Sequence, residues 1–286
     1  MILFRSLFAA VLLVLLSGPA RAAIPIQHWM HASGARVYLV ESPGIPMLDV
    51  QVDVDGGSRR DPAAQAGLAS VTADLLTAGV AAQGAAPALD ENQLSEAWAD
   101  LGASFGASAS GERFSLSLRS LTQPDLLQRA VALAARQLAS PAWPEAVWQR
   151  DRARTVAAWQ EAQTRPATHA GRAFAQAVYG DHPFGREANP QTLAAIDTAA
   201  MRAFYRRHVV ACRAQVVLVG AIDRAGAERI VGQLMAALGP NGCESLGDVP
   251  AAPALAAAVE RRIPFETAQA QVLVGQLGMA RNDSDF

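Results

Sequence analysis

Residues 47–55 read MLDVQVDVD, in which apolar and polar side chains alternate without a break. A period of two places every apolar side chain on one face of a β-strand, so this stretch predicts a strand with one buried face and one solvated face. Residues 35–41, ARVYLVE, predict a second strand, and the intervening turn signal PGIP favours an antiparallel pair. A chain that begins in this way must build a sheet that other elements cover on one side.

Helical periodicity follows directly after these strands. The loop GGSRRDP at 56–62 breaks the alternation, and residues 65–78 then place Leu68, Val71, Leu75 and Leu76 at helical spacing. A helix is also predicted at 90–101 with Asp90 as its N-cap, and a hairpin over 104–118 turns at Gly111. Further helices are predicted at 125–138, 145–163, 169–179, 190–195, 198–207 and 225–238, and a buried strand at 215–219. The order of elements predicts the α+β class, an antiparallel sheet with helices packed on one face.

The N-terminus has the three parts of an export signal. A short basic start ends at Arg5, an apolar run covers 6–16, and Ala20-Arg21-Ala22 is a small-x-small cleavage site. The run is roughly a dozen residues, whereas a membrane-spanning helix needs ~20. We therefore expect a signal peptide at 1–22, cleavage near Ala22 and Ala23, and a periplasmic or secreted protein without a membrane anchor.

The rest of the chain divides into three parts. Residues 23–240 are expected to form one domain, and residues 241–262, rich in Gly, Pro and Ala, a linker. Residues 269–277, QAQVLVGQL, predict a new strand. Because a lone strand cannot form a domain, residues 263–286 are interpreted as the start of a second, similar domain.

Charge and cysteine content exclude some classes of function. With 24 basic and 26 acidic side chains the net charge is −2, and the arginines are scattered, so neither nucleic acid nor an anionic membrane is indicated as a partner. The two cysteines, Cys212 and Cys243, allow one disulfide in an oxidising compartment. The sequence leaves open whether they pair, because it does not show the distance between their α-carbons.

Three segments in order resemble the pitrilysin/insulinase-like, or inverted-zincin, metallopeptidases. They are VDVDGGSRRDPAAQAGLASVTADLLTAGV (52–80), YGDHPFGREANPQTLAAI (179–196) and MRAFYRRHVVACRAQVVLVGAID (201–223). Active members of that family carry H-x-x-E-H on the first helix, where two histidines bind Zn²⁺ and the glutamate activates a water. The resemblance implies the insulinase-like fold for residues 23–240, and zinc as the family's cofactor.

The zinc motif itself is absent from this chain. Alignment on Gly67 leaves Ser70, Ala73 and Asp74 where the two histidines and the glutamate stand in the family, Ala73 replacing the glutamate. Serine is not a usual zinc ligand, alanine cannot accept a proton, and one aspartate cannot hold the metal alone. The resemblance places the remaining ligand near 155–158, a span without a carboxylate, and Glu161 fits only with a shifted register. We therefore expect no catalytic residue, no metal ligand and no bound cofactor.

Bacterial members of the family often consist of two proteins, one with H-x-x-E-H and one without it. This chain resembles the second kind, which implies a heterodimer with an H-x-x-E-H partner and a peptide-binding role. The resemblance places the predicted hairpin at the sheet edge where relatives add a peptide as an extra strand, and the expected edge residues are Ser104, Phe105, Gly106, Ala107 and Ser108. The alternative that another domain covers this edge stays equally open. Two alternatives stay open: a zinc endopeptidase with unorthodox ligands, and a scaffold or binding protein without a protease partner.

Overall fold

Six strands form one mixed sheet in the computed structural model, which describes residues 25–238, 243–279 and 283–285. The strands are β1 (Gln27–Met30), β2 (Arg36–Glu41), β3 (Met47–Val54), β4 (Ser104–Ala109), β5 (Phe114–Leu121) and β6 (Gln215–Gly220). Their order across the sheet is β1-β2-β6-β3-β5-β4. Four of the five pairs are antiparallel and β2 pairs with β6 in parallel. The predicted signal peptide and cleavage site lie outside the described residues.

The helices are α1 (Leu68–Leu76), α2 (Glu91–Asp100), α3 (Pro124–Ala139), α4 (Glu145–Ala162), α5 (Pro166–Tyr179), α6 (Pro190–Ala194), α7 (Thr198–His208) and α8 (Arg224–Ala237). Each agrees with a predicted helix to within a few residues. Asp90 caps α2 as predicted, and its carboxylate forms a capping box with Gln93. Within the described part of the chain, no helix is both long and apolar enough to span a membrane.

The alternation of β3 determines which face of the sheet is covered. Leu48, Val50, Val52 and Val54 are each at most 3% exposed. The intervening positions point to the opposite face, where Asp49 forms an ion pair with Arg119 of β5. Burying the apolar face beneath the helices is the main source of stability of this domain. The predicted α+β class, with helices on one face of a sheet, is confirmed.

The predicted pairing of the first two long strands is wrong. β6 lies between β2 and β3, parallel to the former and antiparallel to the latter. β6 lies near the centre of the sheet. Its Val216 and Leu218 are fully buried, and its backbone forms hydrogen bonds with a strand on each side. A turn signal between neighbouring strands cannot reveal a strand that returns much later in the chain. The short strand β1 was not predicted.

The strand predicted at 269–277 is also not found. Residues 251–279 contain neither helix nor strand and are mostly exposed. An extended segment becomes a strand only when a neighbour supplies the other half of its hydrogen-bond ladder, and here no such neighbour lies among the described residues. The interpretation of 263–286 as the start of a second domain stays a prediction, as does the linker at 241–262.

Candidate functional site

Helix α1 carries the motif positions, and both of its ends are fixed by buried polar groups. Gly67 precedes it with φ of 102°, a left-handed conformation that favours glycine. The carboxylate of Asp61 accepts hydrogen bonds from the backbone N–H of Gly67 at 2.8 Å and of Ala69 at 2.9 Å. At the other end, Gln137 donates to the carbonyl of Leu76 at 3.1 Å. The helix is therefore held rigidly, because its terminal backbone groups are satisfied.

The burial of Asp61 changes its acid strength. Its side chain is 4% exposed, and this loss of hydration raises the pKa of the carboxyl to about 6. Hydrogen bonds from the start of α1 and the nearby Arg186 act in the opposite direction. At neutral pH the carboxylate is ionised and caps the positive end of the helix dipole.

The three motif positions do not form a chemical site. Ser70 and Asp74, one helical turn apart, are exposed on the same side of α1. Ala73 is fully buried and packs in the core. The helix therefore presents one hydroxyl and one carboxylate where active relatives are expected to present two imidazoles and one carboxylate.

Asp74 lies close enough to Asp151 of helix α4 for the two carboxylates to interact. The pKa of Asp74 is raised, first because the surrounding protein removes part of its hydration and then because Asp151 lies close; Arg154 opposes both effects. Asp151 accepts from Arg150 at 2.9 Å and from Arg154 at 3.0 Å. The carboxylates of Asp74 and Asp151 are thus close to each other, and the guanidinium groups of Arg150 and Arg154 offset their negative charge.

Asp151 was not among the residues predicted for the site. The span predicted for the ligand, 155–158, begins one helical turn after Asp151, so this spacing of four residues is the signal in the sequence that points to Asp151. Glu161, the register-shifted candidate, lies at the end of α4 and forms an exposed ion pair with Arg165.

These residues do not fit a zinc ion. Zinc in proteins takes three or four ligands drawn from imidazole, thiolate and carboxylate. Asp74, Asp151 and the hydroxyl of Ser70 offer two carboxylates, of which one is already bound by two guanidinium groups. Within residues 25–238, 243–279 and 283–285 there is no group of three or more His, Cys, Asp or Glu side chains that could hold a metal.

The open edge of the sheet lies beside this helix, since α1 packs against β4. β4 pairs with β5 on one side only, so its other side is an edge in the described structure. Phe105 stacks on Trp98 of α2 with ring centroids 5.8 Å apart, which fixes the strand on the helix layer. The other expected edge residues are small: Ser104, Gly106, Ala107 and Ser108. An added strand can approach closely, because no large side chain projects beyond the backbone.

The hairpin geometry determines which backbone groups face the edge. Ser110 N–H donates to the carbonyl of Arg113 at 2.8 Å and closes the hairpin. Hydrogen bonding alternates along an antiparallel pair, so every second N–H of β4 points away from β5. Counting from the closing pair, the outward N–H groups belong to Phe105, Ala107 and Ala109.

The tip of this hairpin is anchored on the loop that precedes α1. Backbone N–H groups of Gly57, Ser58 and Arg59 donate to carbonyls at 110–112, at 3.3, 2.8 and 2.9 Å. A Cβ on Gly57 would lie 2.5 Å from the backbone N of Arg113, so only glycine permits this approach. The open edge and the motif helix are therefore parts of one rigid unit.

The remaining candidate residues have structural contacts. His28 lies in β1 and stacks near Tyr38, and His31 bonds to Ser33 in the following turn. His182 accepts from the N–H of Phe184 through one ring nitrogen. Cys212 and Cys243, whose pairing the sequence left open, form a disulfide with α-carbons 5.9 Å apart.

Comparison with known structures finds several similar chains. A crystal structure of a peptidase M16 inactive domain from Pseudomonas fluorescens is 28% identical with a TM-score of 0.74, and the match covers 81% of this chain and 54% of that chain. Pitrilysin is 21% identical with a TM-score of 0.65, covering 81% and 24%. The periplasmic protease PqqL from Escherichia coli is 20% identical with a TM-score of 0.62, covering 80% and 24%.

This chain therefore spans about half of the first of these proteins and about a quarter of the other two. Pitrilysin and PqqL are only 21% and 20% identical to this chain, so their similarity shows a shared fold and no more. A comparison with curated protein sequences found no match. The sequence model of the family described as Insulinase (Peptidase family M16) matches residues 36–190, which is more than half of the 286 residues. The chain belongs to the insulinase family of peptidases, family M16.

Proposed function

We propose that this chain is a non-catalytic, peptide-binding partner subunit of an exported insulinase-like zinc endopeptidase. The proposal rests on one observation: the helix at the zinc-motif position has no zinc-binding side chains, and the sheet edge beside it is open in the described structure. Ser70, Ala73 and Asp74 stand at the zinc-motif positions, and β4 beside them has a free row of backbone groups.

The proposed lack of catalysis follows from the side chains that occupy the motif positions. Hydrolysis in this family needs a zinc-bound water and a carboxylate that takes its proton. Ala73, at the position of that carboxylate, is buried and has no acidic group. Asp151 is neutralised by Arg150 and Arg154, so it is poorly placed to serve as either ligand or base.

Peptide binding does not depend on the metal. An edge strand binds an extended peptide through backbone N–H and C=O groups, and β4 offers both kinds along its free side. The anchoring of the hairpin tip and the stack of Phe105 on Trp98 preorganise this edge, which lowers the entropy lost on binding.

The proposed partner carries an intact H-x-x-E-H motif. Support comes from the similarity to a structure described as an M16 inactive domain and to a periplasmic protease. Export rests on the signal sequence in residues 1–22.

The test measures zinc content and peptide hydrolysis for three samples: the mature chain alone, an insulinase-like protein from the same source that carries an intact H-x-x-E-H motif, and their mixture. We expect no stoichiometric zinc and no hydrolysis from this chain alone, complex formation in size-exclusion chromatography, and faster hydrolysis by the mixture. Tightly bound zinc with activity in the chain alone would instead show a peptidase with unorthodox ligands. Peptide binding without complex formation or stimulated hydrolysis would show a binding protein that needs no protease.

A matched pair of variants controls this test. Asp74→Asn removes a charge at the motif helix, and Asp49→Asn removes one from the opposite face of the sheet, where Asp49 pairs with Arg119. Under the proposal neither variant changes zinc content. A loss of bound zinc in Asp74→Asn alone would identify Asp74 as a ligand and contradict the proposal.

A further inference from the structure

Residues 243–250, called the strap here, lie where the sequence predicts a linker. They contain no helix or strand, yet the domain holds them at several points along their length. A free linker has no reason to make such contacts. The strap is therefore part of the folded domain, although its composition is that of a flexible segment.

A disulfide holds the beginning of the strap. Cys243 is bonded to Cys212, which lies in the short turn before β6. These are the only two cysteines in the sequence, so no other thiol can exchange with them within the chain.

Three side chains from different parts of the fold hold the backbone of the strap. Arg213 donates to the carbonyl of Glu244 at 2.7 Å. Arg60 donates to the carbonyls of Leu246 at 3.3 Å and Gly247 at 2.8 Å. His182 binds the carbonyl of Pro250 at 2.7 Å through its second ring nitrogen, which must therefore carry the proton. The strap thus connects the loop after β3, the turn before β6 and the turn after α5.

The strap carbonyls accept hydrogen bonds from a group of positively charged side chains that lie beneath the strap. Arg60 and Arg213 lie close to Arg207, and Asp55 is the acidic partner that they share. The pKa of Arg213 is lowered, by loss of hydration and by these neighbouring cations, with Asp55 acting in the opposite direction. The side chain of Arg60 is only 12% exposed. Carbonyl oxygens from the strap give these half-buried cations acceptors that water would otherwise have to supply.

Two residues of the segment that follows the strap contact helix α5. Phe265 packs against His169 of α5 with ring centroids 5.3 Å apart. The ring of Phe174, also on α5, approaches Gly275 so closely that a Cβ there would lie 2.8 Å from it. Phe265 and Gly275 thus lie against α5 rather than away from the domain.

We propose that the Cys212–Cys243 disulfide is a redox-sensitive lock on this strap. A dithiol reductant transfers two electrons: the bond between the two Sγ atoms breaks, each sulfur takes up a proton, and the two thiols of the reductant form a disulfide. In the reduced chain the covalent link is gone, and the hydrogen bonds from Arg213, Arg60 and His182 must hold the strap without it. It then opens far more often, and the segment that follows leaves α5. This inference is independent of the proposed function.

Limited proteolysis with the glutamate-specific endoproteinase Glu-C, followed by mass spectrometry, tests the lock on the whole mature chain, oxidised and then treated with dithiothreitol. We expect cleavage after Glu244 of the strap to accelerate by roughly 10- to 100-fold on reduction, because a protease cuts a segment that has been released from the domain. Cleavage after Glu96 in α2 should not change, which distinguishes opening of the strap from unfolding of the domain. The double variant Cys212→Ser, Cys243→Ser should match the reduced protein without any reductant.

A further variant separates the lock from its supporting contacts. Arg60→Gln should leave the strap resistant to cleavage in the oxidised protein, because the disulfide still holds it, and should accelerate cleavage further in the reduced protein. Equal cleavage rates in the oxidised and reduced states would overturn the proposal. An oxidised strap that is cut as fast as an unstructured peptide would overturn it as well.

Discussion

The substitution Ala107→Pro tests peptide binding by the open edge of β4. The alternation of hydrogen bonds along the hairpin directs the N–H of Ala107 away from β5, where an added strand would accept from it. Proline has no N–H, and its ring occupies the space on that side of the backbone. The substitution therefore removes a donor from the edge and leaves the ladder to β5 intact.

The expected magnitude follows from one lost backbone hydrogen bond. Such a bond contributes about 0.5–1.5 kcal/mol, so the dissociation constant for an extended peptide should rise by roughly 2- to 13-fold. Steric exclusion by the ring adds to this loss. Proline is tolerated on edge strands, so the free energy of unfolding should fall by no more than about 1 kcal/mol.

Ser108→Pro is the matched control one residue further along. Its N–H points toward β5, opposite Ser115, so proline there breaks the ladder itself. We expect Ser108→Pro to lower the free energy of unfolding by about 1–3 kcal/mol. Comparison of the two variants thus distinguishes the N–H groups on the open side of β4 from those that bond to β5.

The assay is fluorescence anisotropy with fluorescein-labelled casein peptides, accompanied by urea unfolding of each variant. Weaker binding by Ala107→Pro with nearly unchanged unfolding supports an edge-strand mode of recognition. Peptide affinity equal to that of the unchanged chain, at equal stability, would refute the reasoning. Binding must then occur on another surface.

Three further predictions concern stability. Asp61→Ala leaves the N–H groups of Gly67 and Ala69 without their acceptor, so the free energy of unfolding should fall by about 2–4 kcal/mol in urea titrations, and by less in Asp61→Asn. Burial lowers the pKa of His208 to about 4, from 6.5 in the unfolded chain; the unfolded state therefore binds the proton first on acidification, and stability falls from about pH 6.5 to about pH 4. Asp61, whose pKa is raised to about 6, has the opposite slope over part of this range, so the difference between the unchanged chain and His208→Gln isolates the histidine. Gly57→Ala drives a Cβ into the backbone of the hairpin tip, and thermal unfolding should show a lower midpoint than for Gly44→Ala, where the Cβ meets open space.

Local signals in the sequence predicted the elements, and long-range contacts decided their arrangement. Asp90 before a helical stripe and Gly111 between two alternating runs each report on a few adjacent residues, and both predictions are confirmed. The position of β6 depends on competition among distant strands for the centre of the sheet, which no short pattern encodes.

In the candidate site, too, local features were predictable from the sequence and long-range contacts were not. The exposure of Ser70 and Asp74 on one side of α1 follows from helical spacing. That Asp151 is the carboxylate that meets Asp74 depends on how α4 packs across the domain. The strap could not be inferred from its composition, because its contacts come from arginine and histidine side chains far away in the chain.

The insertion of β6 between β2 and β3 has a consequence for how the chain folds. The two early strands acquire their shared neighbour only when residues 215–220 become available. Until then the sheet consists of disconnected pieces, and closing it requires a contact between segments about 180 residues apart, which makes folding slow. The sheet of this domain is therefore completed late, after all the helices that lie between β5 and β6 in the sequence.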